Sequence, residues 1–277
     1  MKMLSILIPA HNEAGYLPDC IEALLASDLV DLSVEVIVIA NGCTDNTAKI
    51  AQTFKERLMS KGWALVVLDI AQGGKAIALN AGDKAAQGDV LIYLDADVQV
   101  SPPLIAQLAQ VLDTGMPRYA SGQPNVTVGT SVVTRHYMRF WRTVPFMTLG
   151  VPGFGVFAMN RAGRARWAAW PDIISDDTFA RLNFTPEERK SVSAHYDWPM
   201  IEGFAALVQV RRRQDAGVAE IAERYPALMI NADAKRGGAP LWLRAFRDPV
   251  AFAVFMIVRG VARMPILRSE SKWARGR

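Results

Sequence analysis

The stretch Asp89-Val-Leu-Ile-Tyr-Leu-Asp95-Ala-Asp97 decides how this chain folds. Its centre, residues 90–94, is apolar, β-branched and aromatic without a polar break, which predicts a strand covered on both faces, as in a parallel sheet. Open α/β sheets bind ligands at the carboxyl ends of their strands. Two carboxylates at that end repel each other unless a cation lies between them, so Asp95 and Asp97 are candidate ligands of a Mg²⁺ or Mn²⁺ ion that holds a diphosphate. The alternative is a solvated turn that caps a helix starting at Pro102-Pro103.

The residues before this stretch alternate between strand and helix patterns. A strand–helix order of this kind predicts a right-handed parallel sheet. The predicted strands are residues 4–8, 34–39, 64–68 and 90–94, and the predicted helices are residues 17–27, 47–60 and 75–86.

The second half of the chain is less regular. The patterns predict strand pairing within 119–134, a helix at 135–143, a strand at 156–160, a helix start at the acidic pair within 172–182, a strand at 207–213, and helices at 216–225 and 242–264. We expect a catalytic domain at residues 1–215, with a nucleotide-sugar-binding half (1–100) and an acceptor-side half (101–215), followed by a helical, basic, amphipathic extension at 216–277.

Composition limits the class of protein. The formal net charge is only +4, but residues 235–277 hold ten Lys or Arg against two acids, so the basic surplus belongs to the end of the chain. Two cysteines, Cys20 and Cys43, provide no disulfide framework, and a reduced cytosolic setting is expected. We expect no signal peptide and no membrane span, because no window reaches the ~20 apolar residues that a span needs. The local charge without a recognition motif argues against nucleic acid as a partner.

Four motifs follow four predicted strands in order, and together they resemble the family 2 inverting glycosyltransferases, which have the GT-A fold. The likeness is close over about residues 1–100 and looser to about 215. The motifs are Ser5-Ile-Leu-Ile-Pro9-Ala-His-Asn12-Glu13, Val36-Ile-Val-Ile-Ala-Asn41-Gly42-Cys-Thr44-Asp45-Asn-Thr47, Gly73-Gly74-Lys75-Ala-Ile-Ala-Leu79-Asn80-Ala-Gly82 and Asp95-Ala-Asp97.

The resemblance implies an α/β, mainly parallel sheet flanked by helices, a nucleotide-diphospho-sugar donor and a divalent cation held by Asp95 and Asp97. One departure concerns Asn41, since the family usually has an acid there that accepts a hydrogen bond from the uracil imide; uridine remains the first choice of base. Asp45 and Thr47 are equally suited to capping the helix that follows. The implied nucleotide-sugar-binding residues are Pro9, Ala10, His11, Asn12, Glu13, Asn41, Asp45, Gly74, Lys75, Asn80, Asp95, Ala96 and Asp97.

The same resemblance implies a catalytic base in the second half. Inverting transfer needs a carboxylate that takes the proton of the acceptor hydroxyl, and Asp177 aligns with the usual base, with Asp176 as the runner-up. The alternative is an acidic first turn of a helix. The loop Gly153-Phe154-Gly155 resembles the acceptor-side glycine loop, although a tight turn explains it as well. Arg211 and Arg213 are candidate phosphate contacts, or part of a solvated basic face.

The processive members of the family carry a Gln-x-x-Arg-Trp motif that this chain lacks, which favours transfer of a single sugar. Residues 241–264 combine aromatic and apolar side chains with arginines, which is typical of a helix in the headgroup layer of an anionic membrane. The alternative is a helix packed on the sheet. A peripheral location on the inner face of the plasma membrane is therefore expected for a cytoplasmic enzyme.

The favoured function is transfer of one sugar from a nucleotide-diphosphate sugar, first of all a UDP-sugar, to a hydroxyl acceptor that is lipid-linked or a glycan precursor of surface polysaccharide. Two alternatives stay open: a sugar nucleotidyltransferase, and a degenerate nucleotide-sugar-binding scaffold, which Asn41 suggests. A dehydrogenase is disfavoured, because no Gly-x-Gly-x-x-Gly follows the first strand.

Overall fold

The computed structural model describes residues 2–148, 150–233 and 239–264. The last part of the predicted basic extension, residues 265–277, lies outside this range. The strands are β1 (Met3–Ala10), β2 (Ser33–Asn41), β3 (Trp63–Ile70), β4 (Val90–Leu94), β5 (Gln99–Val100), β6 (Tyr119–Thr127), β7 (Val156–Asn160) and β8 (Arg189–Pro199). The α-helices are α1 (Leu17–Leu25), α2 (Thr47–Thr53), α3 (Lys55–Ser60), α4 (Lys75–Ala85), α5 (Leu104–Leu112), α6 (Val132–Trp141), α7 (Pro145–Thr148), α8 (Arg161–Arg164), α9 (Asp176–Leu182), α10 (Phe204–Arg224), α11 (Leu241–Arg247) and α12 (Pro249–Arg263). Short 3₁₀ helices cover Pro186–Glu188 and Pro226–Asn231.

The strands form one mixed sheet in the order β3-β2-β1-β4-β7-β6-β8-β5. The first four run parallel, with β1 between β2 and β4 and β3 beyond β2. Strand β7 joins β4 in the antiparallel direction, and β6 in turn pairs antiparallel with β7. The predicted mainly parallel α/β sheet is therefore confirmed, and its parallel part contains the four motif-bearing strands.

Strands β1, β2 and β4 are covered on both faces, as their unbroken apolar runs predict, whereas the edge strand β3 is only partly buried. Every residue of β4 is buried, and so are all residues of β1 after its first. Helix α4 packs on β1 and β2. A Cβ at Gly82 would lie 2.9 Å from Leu7 Cδ2 and 3.1 Å from Ile39 Cδ1, so the glycine allows α4 to approach the sheet closely. This contact fixes the helix whose first residue is Lys75.

The chain divides into two compact units. The first unit contains residues 1–125, 153–172 and 183–198, and the second contains residues 126–152, 173–182 and 199–277. The boundary that we predict between residues 215 and 216 stays a prediction, and it lies inside α10.

Several elements differ from the sequence-based prediction. Strand β8 has no predicted counterpart, and residues 132–134, expected to pair as strands, belong to α6. Residues 207–213 are not a strand but belong to α10, where Leu207, Val208, Gly217 and Ile221 are buried at helical spacing. A short apolar run does not by its periodicity separate a strand from a buried helix segment, which is why the prediction is wrong. The predicted helix at 47–60 breaks at Phe54 into α2 and α3, and the predicted helix at 242–264 breaks at Asp248.

Candidate active site

Three hydrogen bonds connect the segments that follow the four parallel strands of the first unit. The ring nitrogen Nδ1 of His11, after β1, lies 2.7 Å from the carbonyl oxygen of Asn41, the last residue of β2. The side-chain nitrogen of Asn41 donates to the carbonyl of Gly74, after β3, at 2.7 Å. Lys75 Nζ donates to Asp95 Oδ1, after β4, at 2.7 Å. The structure therefore brings the four sequence motifs together at one edge of the sheet.

The loops after β1 and β2 are tied together by two side chains. Asn12 has a positive φ of 55°, and its Oδ1 accepts from the backbone N–H of Thr44 at 2.6 Å and of Asp45 at 3.2 Å. Asp45 in turn accepts from the N–H of Thr47 at 3.0 Å and from that of Ala14 at 3.2 Å. Asp45 thus caps the start of α2, as the alternative interpretation expects, and its predicted contact with the nucleotide stays a prediction.

The remaining predicted residues of the β1 motif lie beside these hydrogen bonds of Asn12 and Asp45. Pro9 and Ala10 are the buried last residues of β1. Glu13 is half-buried, and its N–H donates to Thr47 Oγ1 at 2.8 Å. The loop therefore has a defined conformation next to the strand end before any ligand is considered.

Asn41 is almost completely buried, with 1% of its surface exposed. The Gly74 carbonyl needs a donor, so the Asn41 amide must turn its NH₂ group towards Gly74 and leave Oδ1 as the acceptor. An aspartate, the usual residue of the family, cannot make this bond at neutral pH. Asn41, which replaces the acid usual in the family, therefore makes a hydrogen bond to Gly74 that the acid could not make.

The glycine segment before α4 allows close approach of two backbones. A Cβ at Gly42 would lie 2.7 Å from Gly73 Cα, and Gly74 has a φ of 150°. Helix α4 then begins at Lys75, so its first N–H groups lie at the strand edge, where they suit a phosphate. Lys75 is paired with Asp95 and keeps 24% of its side chain exposed.

Asn80 holds α4 to another part of the first unit. Its Nδ2 donates to the carbonyl of Trp170 at 3.1 Å, and its Oδ1 accepts from the Trp170 N–H at 2.8 Å. The contact of Asn80 with a nucleotide sugar stays a prediction, and the structure gives its amide a structural partner.

A second anchor of α4 is not predicted by the sequence. The carboxylate of Asp83 accepts from Tyr93 Oη at 2.6 Å, from Arg164 Nε at 2.6 Å and from Trp170 Nε1 at 2.7 Å. Burial raises the pKa of the Tyr93 phenol, and the charge of Asp83 raises it further. The partners are up to 87 residues from Asp83 in the chain, so no local spacing reveals this network.

Asp95 and Asp97 follow β4 with Ala96 buried between them. Burial raises the pKa of the Cys20 thiol, and the charges of Asp97 and Asp95 raise it further. The Cys20 sulfur lies 3.8 Å from the carbonyl oxygen of Asp95. Helix α5 begins after Pro103 without a side-chain cap, so the alternative in which the two acids cap that helix is wrong.

The donor set here fits a hard divalent cation. Asp95 and Asp97 offer carboxylate oxygens, which are the ligands that hard divalent cations prefer. Within residues 2–148, 150–233 and 239–264, no group of three or more His, Cys, Asp and Glu side chains is arranged to hold a metal. Two carboxylates are nevertheless sufficient for Mg²⁺ or Mn²⁺ when phosphate oxygens and water complete the coordination.

The predicted acceptor-side loop lies next to Asp95. The carbonyl of Gly155 accepts from the Asp95 N–H at 2.8 Å, and Gly153 and Gly155 have φ values of 69° and 76°. Between them, the ring of Phe154 packs edge-on against Trp198, with 4.9 Å between centroids, and its carbonyl accepts from Tyr196 Oη at 2.7 Å. Phe154 and Trp198 therefore pack within the loop region that bonds to the backbone of Asp95, and the role of this loop towards an acceptor stays a prediction.

Asp176 and Asp177 belong to the second unit and are the first residues of α9. Asp177 Oδ1 accepts from the N–H of Thr178 at 2.6 Å, and both acids are half-buried. Their position in the first turn, where a helix dipole stabilises negative charge, agrees with the helix-start interpretation. It does not oppose a role for Asp177 as a base, which stays a prediction.

Arg211 and Arg212 of α10 have partners in the second unit. Arg211 forms an ion pair with Asp215 one turn later. Arg212 donates to the carbonyls of Val261 and Ala262 at 2.9 and 3.0 Å and so caps the end of α12. The predicted phosphate contacts of Arg211 and Arg213 stay predictions.

Comparison with known proteins adds the following. Residues 5–170 match the sequence profile of the Glycosyl transferase family 2. A curated relative, the undecaprenyl-phosphate 4-deoxy-4-formamido-L-arabinose transferase of Pseudomonas syringae pv. syringae, is 34% identical over 116 residues. These residues are 42% of this chain and 34% of the relative, so the match spans about a third of the length of that protein.

Two solved structures have a similar fold. The mannosyltransferase PcManGT from Pyrobaculum calidifontis, in complex with GDP-Man and Mn²⁺, has a TM-score of 0.62 at 17% identity over 93% of this chain and 73% of its own. TarS from S. aureus, in complex with UDP, has a TM-score of 0.55 at 17% identity over 92% of this chain and 71% of its own.

Proposed function

Because the chain belongs to the Glycosyl transferase family 2, we propose that it transfers a single sugar from a nucleoside-diphosphate sugar to a hydroxyl acceptor with inversion. Its mixed α/β fold is the GT-A fold. The observation that carries the proposal is the set of three hydrogen bonds that joins the four motif segments at the carboxyl edge of the sheet. Glycosyl transfer accounts for this site better than the nucleotidyltransferase alternative, since it is the glycosyltransferase profile that matches the chain.

The donor is bound by the first unit. The N-terminus of α4 and the exposed backbone of Gly73 offer N–H groups to the diphosphate, and Lys75 adds a positive charge beside it. Asp95 and Asp97 would hold a divalent cation, which supplies positive charge against the leaving diphosphate when it is bound. Lys75 also pairs with Asp95, with 2.7 Å between Nζ and Oδ1, and this contact orients the carboxylate.

Asn41 is the residue that we expect to select the nucleotide base of the donor. The Nδ2 group of Asn41 holds Gly74, which leaves Oδ1 as the acceptor for an imide N–H such as that of uracil. A neutral amide makes a weaker hydrogen bond than a carboxylate does. We therefore keep uridine as the first base and expect the preference for it to be modest.

Asp177 is the proposed base, and this role rests on the family resemblance. As the acceptor oxygen attacks the anomeric carbon, an Asp177 oxygen takes the hydroxyl proton, and the electron pair of the breaking glycosidic bond stays on the diphosphate. The carboxylate already accepts the N–H of Thr178 through Oδ1, and this bond fixes its orientation. Asp176 is the alternative base.

The acceptor is a hydroxyl-bearing group of a lipid-linked or glycan precursor. The name of one curated relative specifies undecaprenyl-phosphate, which supports a lipid-linked acceptor for this chain. A cytoplasmic, peripheral location on the inner face of the plasma membrane is the setting that suits such an acceptor, and surface polysaccharide is the product class we infer.

Calorimetric titration with UDP, GDP, CDP and dTDP, each with Mn²⁺ and with EDTA, tests the donor site. We expect Mn²⁺-dependent binding of one diphosphate, UDP first, and loss of that binding in Asp97→Asn. A folded protein that binds none of the four would contradict the proposal and favour a degenerate scaffold. Turnover of the matching nucleotide-sugar with a lipid-linked sugar, whose ring hydroxyls can accept the transferred sugar, then tests the acceptor.

A further inference from the structure

Helix α12 is apolar on two opposite faces, and only one of them is covered. Its inner face consists of Ala251, Phe255, Val258 and Ala262, all buried. The Phe255 ring packs on α6 of the same unit, 4.8 Å from the ring of Phe140. A helix that is apolar all round is normally buried all round. The other face of α12 therefore requires an explanation.

The outer face of α12 carries large apolar side chains in solvent. Val250 is 55% exposed, Met256 45% and Ile257 55%, and a helical turn brings these positions to one side. The preceding helix α11 adds Trp242, which is 71% exposed, and Phe246, which is 84% exposed. We call these five residues the apolar outer face. Helices α11 and α12 pack against each other, and large exposed apolar side chains on adjacent helices mark an interaction site.

Positive charge gathers around the same helices. Arg247 and Arg263 are exposed. Burial lowers the pKa of the Arg259 guanidinium, and the neighbouring positive charges of Arg211 and Arg263 lower it further. Asp248, which lies between the two helices, is already paired with Arg139 at 2.7 Å. An anionic partner relieves the repulsion among these arginines.

We propose that the apolar outer face docks the protein on the headgroup layer of an anionic phospholipid bilayer, with Trp242 and Phe246 inserted at the interface. Arg247 and Arg263 then meet the lipid phosphates. An apolar face with an arginine border is the arrangement that binds in the plane of a membrane surface.

The geometry favours this occupant over the others. Helix α12 has 15 residues and is about 22 Å long, which is shorter than the roughly 30 Å of a hydrocarbon core. Over the described part of the chain, no helix has the length and hydropathy of a membrane span. A second copy of the same face would bring like charges together.

The membrane-docking proposal rests on the proposed function, because docking on a bilayer is useful to an enzyme whose acceptor is lipid-linked. Binding to lipid is measured without donor or acceptor, however, so the two proposals fail separately. Loss of vesicle binding with intact UDP binding would contradict only the docking surface. Loss of UDP binding with intact vesicle binding would contradict only the transferase site.

The test is co-sedimentation of the full chain with phosphatidylcholine vesicles, with and without about 30% phosphatidylglycerol, at about 0.1 M salt. We expect binding to the anionic vesicles that is at least tenfold tighter than to the neutral ones. Trp242→Ser and Phe246→Ser should each weaken it about tenfold, and Arg247→Ala or Arg263→Ala about fivefold.

The control variant is Leu29→Ser, which removes a leucine of the first unit that is 77% exposed. It should leave vesicle binding unchanged, and all five variants should keep the unfolding temperature of the parent. Equal binding of the parent and the Trp242 and Phe246 variants would overturn the proposal. So would a dimer in sedimentation velocity that Trp242→Ser dissociates, because the face would then cover a second copy.

Discussion

The two units of this protein differ in the kind of side chain that they leave accessible to a ligand. In the first unit the strands β1 and β4 are buried on both faces, and the polar groups at the sheet edge, from His11 to Asp95, are bonded to one another. In the second unit, one apolar face of α12 is buried and the opposite face is exposed to solvent. The first unit thus presents a polar, preorganised edge and the second an apolar surface.

This difference indicates two kinds of ligand. A preorganised set of amides, carboxylates and a lysine suits a small charged molecule, because the groups need little rearrangement when it binds. An uncovered apolar face suits an extended apolar phase. The comparison therefore predicts that substitutions in the first unit change donor affinity or stability, whereas Asp177 in the second changes turnover.

The largest effect is expected for Asp177→Asn. Loss of a general base typically lowers the rate by a factor of about 10²–10⁴, so we expect turnover to fall about a thousandfold. Donor binding, measured by calorimetry, should be unchanged because the proposed donor site lies in the first unit. Asp176→Asn is the matched control, and its turnover should fall much less than that of Asp177→Asn. Near-normal turnover of Asp177→Asn would show that the base is assigned wrongly.

Gly153→Ala should be the most destabilising change in the first unit. Its φ is 69°, and a Cβ would lie 1.8 Å from the hydroxyl oxygen of Tyr119, which is fully buried and cannot move aside. We expect a loss of about 3 kcal/mol in urea denaturation. Gly62→Ala, with a φ of 83° and no atom within 4 Å of the new Cβ, isolates the backbone strain and should cost about 1–2 kcal/mol. Equal losses would mean that the Tyr119 contact is not rigid.

Asp97→Asn should weaken donor binding in the presence of Mn²⁺ by at least about tenfold, because the site loses one of its two anionic oxygen ligands. With EDTA the variant and the parent should bind alike. The measurement is calorimetric titration with UDP under both conditions. A similar loss with and without metal would indicate a role for Asp97 that does not involve a cation.

Asn41→Asp tests the contact between the segments after β2 and β3. The aspartate restores the residue usual in the family, but it places a carboxylate against the Gly74 carbonyl, where the parent has an N–H donor. We expect a loss of about 1–3 kcal/mol in stability and weaker UDP binding. Tighter UDP binding would show instead that Asn41 acts only as an acceptor for the base and that its contact with Gly74 is dispensable.

The sequence predicts the parallel strands of the first unit well because their signals are local. Apolar runs such as residues 90–94 define strands whichever way the chain folds, and the loops after them carry the motifs in order. It predicts the second unit less well. Residues 207–213 have the composition of a strand, but the burial of Leu207, Gly217 and Ile221 along one face and the Arg211–Asp215 pair belong to a helix. These are medium-range contacts that a seven-residue window does not contain.

By itself, the sequence determined the parallel part of the sheet, the order of the four motifs and the two carboxylates after β4, because strand periodicity and strand-end chemistry are properties of short segments. Only the tertiary structure decided which partners those side chains have. The bonds of Asn41 to Gly74 and of Arg164 to Asp83 join residues far apart in the chain. Which face of α12 is buried also depends on distant residues that pack against it. Such partners are set by packing, and packing is not encoded in any single segment.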